Sequence, residues 1–139
     1  MSNAARNQYQ PDTVTPPGFF IQEKLEELGM TQTGLASRIC RTKKTVNEII
    51  TGKAPIEPET ALQLERVLGI PARFWNNAER QYRDHLVRQE ERARLERQVE
   101  RLQRFPVREM RKRGWLPKST DPIETLSALL TFFGVASFG

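Results

Sequence analysis

The chain has 139 residues, with 22 Lys and Arg against 17 Asp and Glu, a formal charge of +5 at pH 7 and a pI near 9.8. This length allows one compact domain, or a small domain with an extension, and excludes two large domains. One cysteine and one histidine cannot form an internal disulfide or a four-ligand Cys/His zinc site, so we expect no metal and no cofactor. With no apolar run of about 18 residues and no secretion signal, we expect a cytoplasmic protein without membrane contact.

The excess positive charge is confined to one part of the sequence. Residues 19–70 carry seven basic and seven acidic side chains, whereas residues 71–114 carry thirteen basic and seven acidic ones. An anionic partner of residues 19–70 would therefore have to recognise the arrangement of charges and not their total.

The N-terminal part of the chain predicts an arm followed by a helix. Residues 1–16 show no apolar periodicity, so we expect a flexible N-terminal arm. A first helix is predicted to begin at Pro17, which suits a first helical turn, and to end at Gly29. Its apolar face consists of Phe20, Ile21, Leu25 and Leu28.

Two short helices and a fourth helix are predicted next. Thr31 is expected to cap the second helix and Thr42 the third, which ends near Gly52. A fourth helix is bracketed by Pro58 and Gly69. The apolar and small residues expected to interlock the second and third helices are Leu35, Ala36, Ile39, Val46 and Ile49.

A long Arg-rich fifth helix is predicted over residues 71–105, because Glu, Arg, Gln and Leu favour helix and no Gly or Pro interrupts residues 72–105. Apolar residues become sparse beyond residue 88, so this half should be exposed or paired with a partner helix. Its arginines could form a solvated face, a non-specific DNA clamp or the arm of a coiled-coil dimer. Residues 106–139 predict a small helical C-terminal extension. No segment shows period-two alternation, so we expect an all-α fold.

Two short helices joined by a tight turn are the layout of a helix-turn-helix, whose second helix enters the DNA major groove. The run TQTGLASRICRTKKTVNEIITGK, residues 31–53, resembles the Xre family of phage-repressor-type DNA-binding proteins. The resemblance covers residues 17–75 and implies a five-helix DNA-binding domain. The runs PGFFIQEKLEELGMTQ and NEIITGKAPIEPETALQLERVLGIPARFW are similar to the HigA/VapI-type antidote branch of that family.

The sequence departs from the family pattern at two positions. Cys40 stands at the turn position that usually holds Gly, and would cost about 1 kcal/mol if that position requires a left-handed backbone. Gly34 replaces the usual acidic residue of the second helix and weakens that helix. Both changes lower the expected stability and leave the predicted DNA-facing residues in place.

The resemblance also implies which side chains contact DNA. Candidate base contacts lie at the start and on the exposed face of the third helix: Lys43, Lys44, Thr45, Asn47 and Glu48. Lysine can donate to guanine N7 and O6, glutamate can accept from cytosine N4, and threonine can meet a thymine methyl. Candidate phosphate contacts, which would set the register on DNA, are Gln32, Arg41, Thr42 and Lys53.

Three functional interpretations follow. The first is a dimeric regulator that represses its own operon by binding double-stranded DNA. The second adds antitoxin activity toward a toxin protein, as the resemblance implies, although an Arg-rich extension is a poor charge match for a basic toxin. The third is the front part of a longer regulator, because FPVREMRKRGWLPKS and ETLSALLTFFGV resemble the linker that precedes an ImmA/IrrE-type peptidase domain. The chain lacks His-Glu-x-x-His, so we do not expect an enzyme.

Overall fold

Helices form all the regular secondary structure of the described residues. The computed structural model describes residues 14–139, so nearly all of the predicted arm, residues 1–16, lies outside it. This part of the chain contains seven α-helices, one 3-10 helix and no strand, which confirms the predicted all-α fold. The helices are α1 Pro17–Leu28, α2 Gln32–Arg38, α3 Lys43–Ile50, α4 Pro58–Leu68, α5 Ala72–Glu96, the 3-10 helix Val99–Arg104, α6 Val107–Lys112 and α7 Pro122–Phe133.

The ends of the short helices are set by local capping groups. The Thr31 Oγ1 atom accepts a hydrogen bond from the Gly34 backbone N–H at 2.9 Å at the start of α2. At the start of α3, Thr42 Oγ1 accepts from the Thr45 backbone N–H at 3.0 Å. Gly29 follows α1 with a left-handed backbone, φ 67°. Because each cap satisfies a backbone group that the helix leaves unpaired, the predicted starts of α2 and α3 are confirmed.

The chain divides into two compact units, and the first ends at Leu86. Its buried core comprises Ile21, Leu25, Leu35, Ala36, Ile39, Val46, Ile49, Ile56, Ala61, Leu64, Leu68 and Trp75. Trp75 is fully buried, and its indole N–H donates to the Ile70 carbonyl oxygen at 3.1 Å. Leu28, predicted on the apolar face of α1, lies in the last turn and is exposed. Helices α1 to α4 and the start of α5 therefore contribute to one core.

The N-terminal end of α1 lies directly against the C-terminal end of α3. A Cβ atom placed on Gly18 would lie 1.8 Å from the Ile50 carbonyl oxygen, far inside van der Waals contact. Gly18 is buried, and only a residue without a side chain allows the two backbones to approach so closely. This contact fixes the position of α3 on the first unit.

The second unit runs from Val87 to Gly139. The predicted extent of the long helix to residue 105 is wrong at its C-terminal end, since α5 ends at Glu96 and a separate 3-10 helix follows it. Residues on both sides of the break pack around the buried side chains of α7. This cluster contains Leu95, Val99, Leu102, Ile123, Leu126, Leu130 and Phe138. Burial of these apolar side chains outweighs the helix propensity of the intervening charged residues.

The C-terminal half of the Arg-rich segment is covered by its own chain. Leu95 is only 6% exposed, and α7 supplies the fully buried Leu126 beside it. The prediction that this half of the helix is exposed or paired with a partner helix is therefore wrong. Its apolar side chains pack instead against α7 of the same chain. Trp115 and Phe132 remain exposed in this unit and stack with ring centroids 5.8 Å apart.

A carboxylate caps the last helix. The pKa of Asp121 lies below its ordinary value because the Ile123 backbone N–H donates to the carboxylate, and Arg92 adds an ion pair at 3.4 Å. These contacts fix the N-terminus of α7 within the second unit.

Candidate nucleic-acid interface

The α2 and α3 helices meet through a four-residue turn, residues 39–42. The side chains expected to interlock them are all buried, and Ala36 is 4% exposed where the helices approach. Cys40 adopts the left-handed conformation, φ 59°, and is the only non-glycine residue with positive φ among residues 14–139. The turn geometry that the family resemblance implied is therefore present, and Cys40 adopts it without the freedom of glycine.

The exposed surface of α3 begins with two lysines. Lys43 and Lys44 follow the Thr42 cap directly, both are exposed, and neither forms an ion pair within the described residues. Thr45 is half-buried, and its backbone N–H and hydroxyl both bond to the Thr42 hydroxyl. The N-terminus of α3 thus carries two ammonium groups that form no ion pair within the described residues, an arrangement suited to a polyanion.

Three amide side chains connect α1, α2 and α3. Asn47 Nδ2 donates to Gln32 Oε1 at 3.3 Å, and Gln32 Nε2 donates to Gln22 Oε1 at 3.4 Å. Asn47 remains exposed, with its Oδ1 atom and one N–H available. The candidate phosphate contact Gln32 is therefore held beside the candidate base contact Asn47. Gln22 was not among the predicted site residues, since its ten-residue separation from Gln32 gives no local signal.

The remaining candidates flank α3. Arg41 is half-buried and lies 4.0 Å from the Glu59 carboxylate, so its charge is partly compensated. Lys53 is exposed, and its backbone N–H donates to the Glu48 carbonyl oxygen at 2.8 Å. Glu48 itself is half-buried. The structure places all nine predicted site residues on α3, at the start of α2 or in the adjoining turns.

A buried carboxylate braces the segment that follows α3. Glu79, on α5, is 9% exposed and accepts a hydrogen bond from the Ile56 backbone N–H at 3.0 Å. It also pairs with Arg83, whose guanidinium donates to the Gly52 carbonyl oxygen at 3.4 Å. Neither Glu79 nor Arg83 was predicted from the sequence. Glu and Arg four positions apart on a helix were a visible sign of an ion pair, but their contacts with Ile56 and Gly52 depend on the tertiary fold.

The described residues offer neither a metal cluster nor a membrane span. Residues 14–139 contain no group of three or more His, Cys, Asp or Glu side chains placed to hold a metal ion. None of the helices in this part of the chain is long and apolar enough to cross a membrane.

The two short helices, the tight left-handed turn and the exposed second helix define the class of helix-turn-helix proteins. Residues 21–75 match the family model described as Helix-turn-helix. The match agrees with the resemblance of this segment to Xre-type helix-turn-helix domains.

A curated relative carries the same domain. Over 61 residues, 44% of this chain, the sequence is 36% identical to YddM of Escherichia coli K12, named as an uncharacterized HTH-type transcriptional regulator. The match spans 65% of that relative, slightly less than two thirds of its length.

Solved structures of two bacterial proteins share the fold of part of this chain. A HigA-family addiction module antidote protein from Coxiella burnetii is 26% identical, with a TM-score of 0.54, and the match covers 60% of this chain and 91% of that one. A Pseudomonas aeruginosa protein solved in complex with its 18-base-pair operator DNA is also 26% identical, with a TM-score of 0.51. That match covers 54% of this chain and 82% of the Pseudomonas protein.

Proposed function

We propose that this chain is a sequence-specific regulator of transcription that reads the major groove of double-stranded DNA with α3. The observation that carries the proposal is the exposed face of α3 on an Xre-type helix-turn-helix domain, with Lys43 and Lys44 unpaired at its start. The fold shared with a protein solved on its operator and the identity to a named transcriptional regulator support the same function.

The dimensions of α3 suit the major groove. It is an α-helix of eight residues, Lys43–Ile50, and an α-helix with its side chains is about 10–12 Å in diameter, close to the width of the groove. Its buried side holds Val46 and Ile49, so the opposite side faces outward. Gly18 and the brace formed by Glu79 hold the end of the helix and the segment beyond it. A rigid support of this kind lets base contacts form without reordering the protein.

Each candidate contact has a distinct chemical role. The ammonium groups of Lys43 and Lys44 donate to guanine, and Asn47 offers both an acceptor and a donor to adenine. Gln32, Thr42 and the flanking Arg41 and Lys53 contact phosphates, which fixes the register without reading bases. Base contacts carry sequence preference, whereas phosphate contacts carry salt-dependent affinity, so the two groups can be separated by experiment.

The test is a mobility-shift titration with the DNA upstream of the protein's own gene and a scrambled duplex, at two salt concentrations. We expect Lys43→Ala and Lys44→Ala each to weaken specific binding by about 1–3 kcal/mol and to relax sequence preference. Lys53→Ala should weaken binding to both duplexes equally and reduce the salt slope by about 1.

A matched control lies on α1. Lys24 belongs to the same unit but lies on α1 and pairs with Glu27 at 3.4 Å, so Lys24→Ala removes one positive charge that is not among the candidate DNA contacts. We expect this variant to bind like the unmodified chain. If the two α3 substitutions leave the footprint and the affinity unchanged, α3 is not the recognition helix.

We propose that the regulator binds as a homodimer to two half-sites about 34 Å apart. The observation that first suggested a dimer, an uncovered half of the long helix, does not hold, since α7 covers Leu95. The large apolar side chains exposed on the described part of the first unit, which such an interface can bury, are Phe19, Leu28, Leu62 and Phe74. Sedimentation across a concentration series tests it, and a monomer mass at every concentration with and without operator contradicts it.

A second candidate function is that of an antitoxin. The fold shared with the antidote protein from Coxiella burnetii favours it, because the match spans nearly all of that protein. The test is co-purification with a toxin encoded beside the gene, followed by rescue of growth when both are expressed. Rescue that persists in the Lys43→Ala, Lys44→Ala double variant would assign toxin neutralisation to a surface other than the DNA-reading face.

A further inference from the structure

The arginines of the second unit differ in whether they have an acidic partner. Ion pairs join Arg92 to Asp121, Arg94 to Glu91 and Arg113 to Glu109. Arg97 and Arg104, by contrast, form no ion pair with any residue of the described chain. Arg97 lies just before the 3-10 helix Val99–Arg104, and Arg104 is the last residue of that helix.

The acidic residue nearest to these arginines in sequence does not pair with either of them. Glu100 is three residues from Arg97 and four from Arg104, spacings at which opposite charges pair on a regular α-helix. The α5 helix ends at Glu96 and a 3-10 helix follows, and within the described chain Glu100 pairs with neither arginine. Among the described residues, the guanidinium groups of Arg97 and Arg104 therefore have no hydrogen-bond or ion-pair partner.

The free donors line one concavity on the surface of the second unit. It has a volume of about 510 Å³ and is lined by Arg97, Gln98, Glu100, Arg101, Gln103 and Arg104. Arg101 is held in place, because it donates to the Phe138 carbonyl oxygen at 3.1 Å and to the Gly139 oxygen at 3.0 Å. A guanidinium has five N–H donors, so Arg101 keeps others available at a fixed position. The lining side chains comprise three guanidinium groups and one carboxylate and therefore carry a net positive charge.

We propose that this concavity binds phosphate oxyanions through Arg97, Arg101 and Arg104. Guanidinium groups bind phosphate oxygens in a bidentate geometry that a single lysine cannot provide, and the amide groups of Gln98 and Gln103 add neutral donors. The ligand is either a phosphodiester of the DNA backbone or a free phosphate ion. The DNA source rests on the proposed function, whereas the free-ion source does not.

The test compares two double variants of the full chain. Arg97→Gln with Arg104→Gln removes the unpaired guanidinium groups, whereas Arg94→Gln with Arg113→Gln removes two that are paired on the same unit. Binding to the scrambled duplex is measured between 50 and 200 mM salt. Two lost phosphate contacts should reduce the magnitude of the salt slope by about 1.8. Between 50 and 200 mM salt, the fold-loss of affinity of the first variant should therefore be about twelve times smaller than that of the unmodified chain. The second variant should keep the original slope.

A parallel titration with inorganic phosphate distinguishes the two sources. The NMR signals of the arginine Nε–H groups are followed in the unmodified chain and in both variants. A lowered DNA slope assigns the phosphodiester backbone as the ligand. An unchanged slope, with phosphate-dependent shifts that the Arg97→Gln, Arg104→Gln variant loses, assigns free phosphate. If neither response is seen, the concavity is not an anion site.

The Lys43→Ala variant tests the proposed function independently of the arginine variants. Loss of operator preference in that variant, with an unchanged slope in the arginine variant, retains α3 as the reading helix and rejects DNA backbone binding by the second unit. Intact operator preference, with a lowered slope in the arginine variant, rejects α3 as the reading helix and retains DNA backbone binding by the second unit. The two failures are therefore distinguishable.

Discussion

The left-handed turn at Cys40 should limit the stability of the helix-turn-helix unit, and Cys40→Gly should relieve that limit. A non-glycine residue at φ 59° costs about 1–2 kcal/mol. Glycine avoids this cost but loses about 0.5–1 kcal/mol more conformational entropy on folding. Cys40 is exposed and its thiol is free, so no core packing is lost. From the middle of each range, the net gain is about 0.75 kcal/mol, which for a unit of this size raises Tm by about 3–6 °C.

The two tryptophans allow the two units to be followed separately. Trp75 is fully buried in the first unit, whereas Trp115 is exposed in the second. In a Trp115→Phe background, the fluorescence of Trp75 reports unfolding of the first unit alone. Urea titrations of the Cys40→Gly chain in this background should show a higher midpoint with an unchanged slope.

Cys40→Ala is the matched control, because it removes the thiol and keeps a Cβ atom in the left-handed region. We expect its stability to remain within about 0.5 kcal/mol of the original chain, as for other exposed substitutions without a special backbone effect. Equal stabilisation by Ala and Gly would show that the thiol, and not the backbone, carries the cost. No gain from Gly would show that the turn is unstrained.

Two further substitutions, one in each unit, test the packing of the helices. Gly18→Ala would place a Cβ atom 1.8 Å from the Ile50 carbonyl oxygen, so we expect a loss of about 3 kcal/mol in the Trp75 urea transition. A loss below about 1 kcal/mol would show that α1 can move away from α3 easily. Leu126→Ala removes a fully buried side chain of α7 and should cost the second unit about 2–5 kcal/mol, measured by Trp115 fluorescence in a Trp75→Phe background. A cost as small as that of the exposed neighbour Ser127→Ala would mean that α7 is not part of that core.

The parts of the fold that were predicted correctly depend on neighbours in sequence. The capping contacts of Thr31 and Thr42 span three residues each, so a short motif contains both partners. The left-handed turn at Cys40 was implied by the family resemblance, and it concerns the backbone conformation of a single residue. The placement of the candidate DNA contacts on one face of α3 follows from helical periodicity, although their roles on DNA stay predictions.

The parts that were missed depend on residues far apart in sequence. Glu79 bonds to Ile56, 23 residues away, and Gly18 matters only because Ile50 lies against it. The end of α5 at Glu96 was missed for the same reason. Residues 97–105 favour helix locally, but α7, more than twenty residues later, offers them an apolar surface. Neither a capping signal nor a propensity scale contains that information.

Under the two proposals, the first unit determines the preference for operator DNA, and the charge of the second unit contributes most to non-specific DNA affinity. Residues 1–86 carry eleven basic and ten acidic side chains, whereas residues 87–139 carry eleven and seven. The unit that presents α3 is thus almost neutral, and it can discriminate between sequences only through the chemistry of the few side chains that reach the bases. Non-specific affinity depends instead on how many phosphates are neutralised, and the second unit holds most of the excess charge. Substitutions on α3 should therefore change the ratio of operator to scrambled binding, whereas substitutions at Arg97 and Arg104 should change both affinities together.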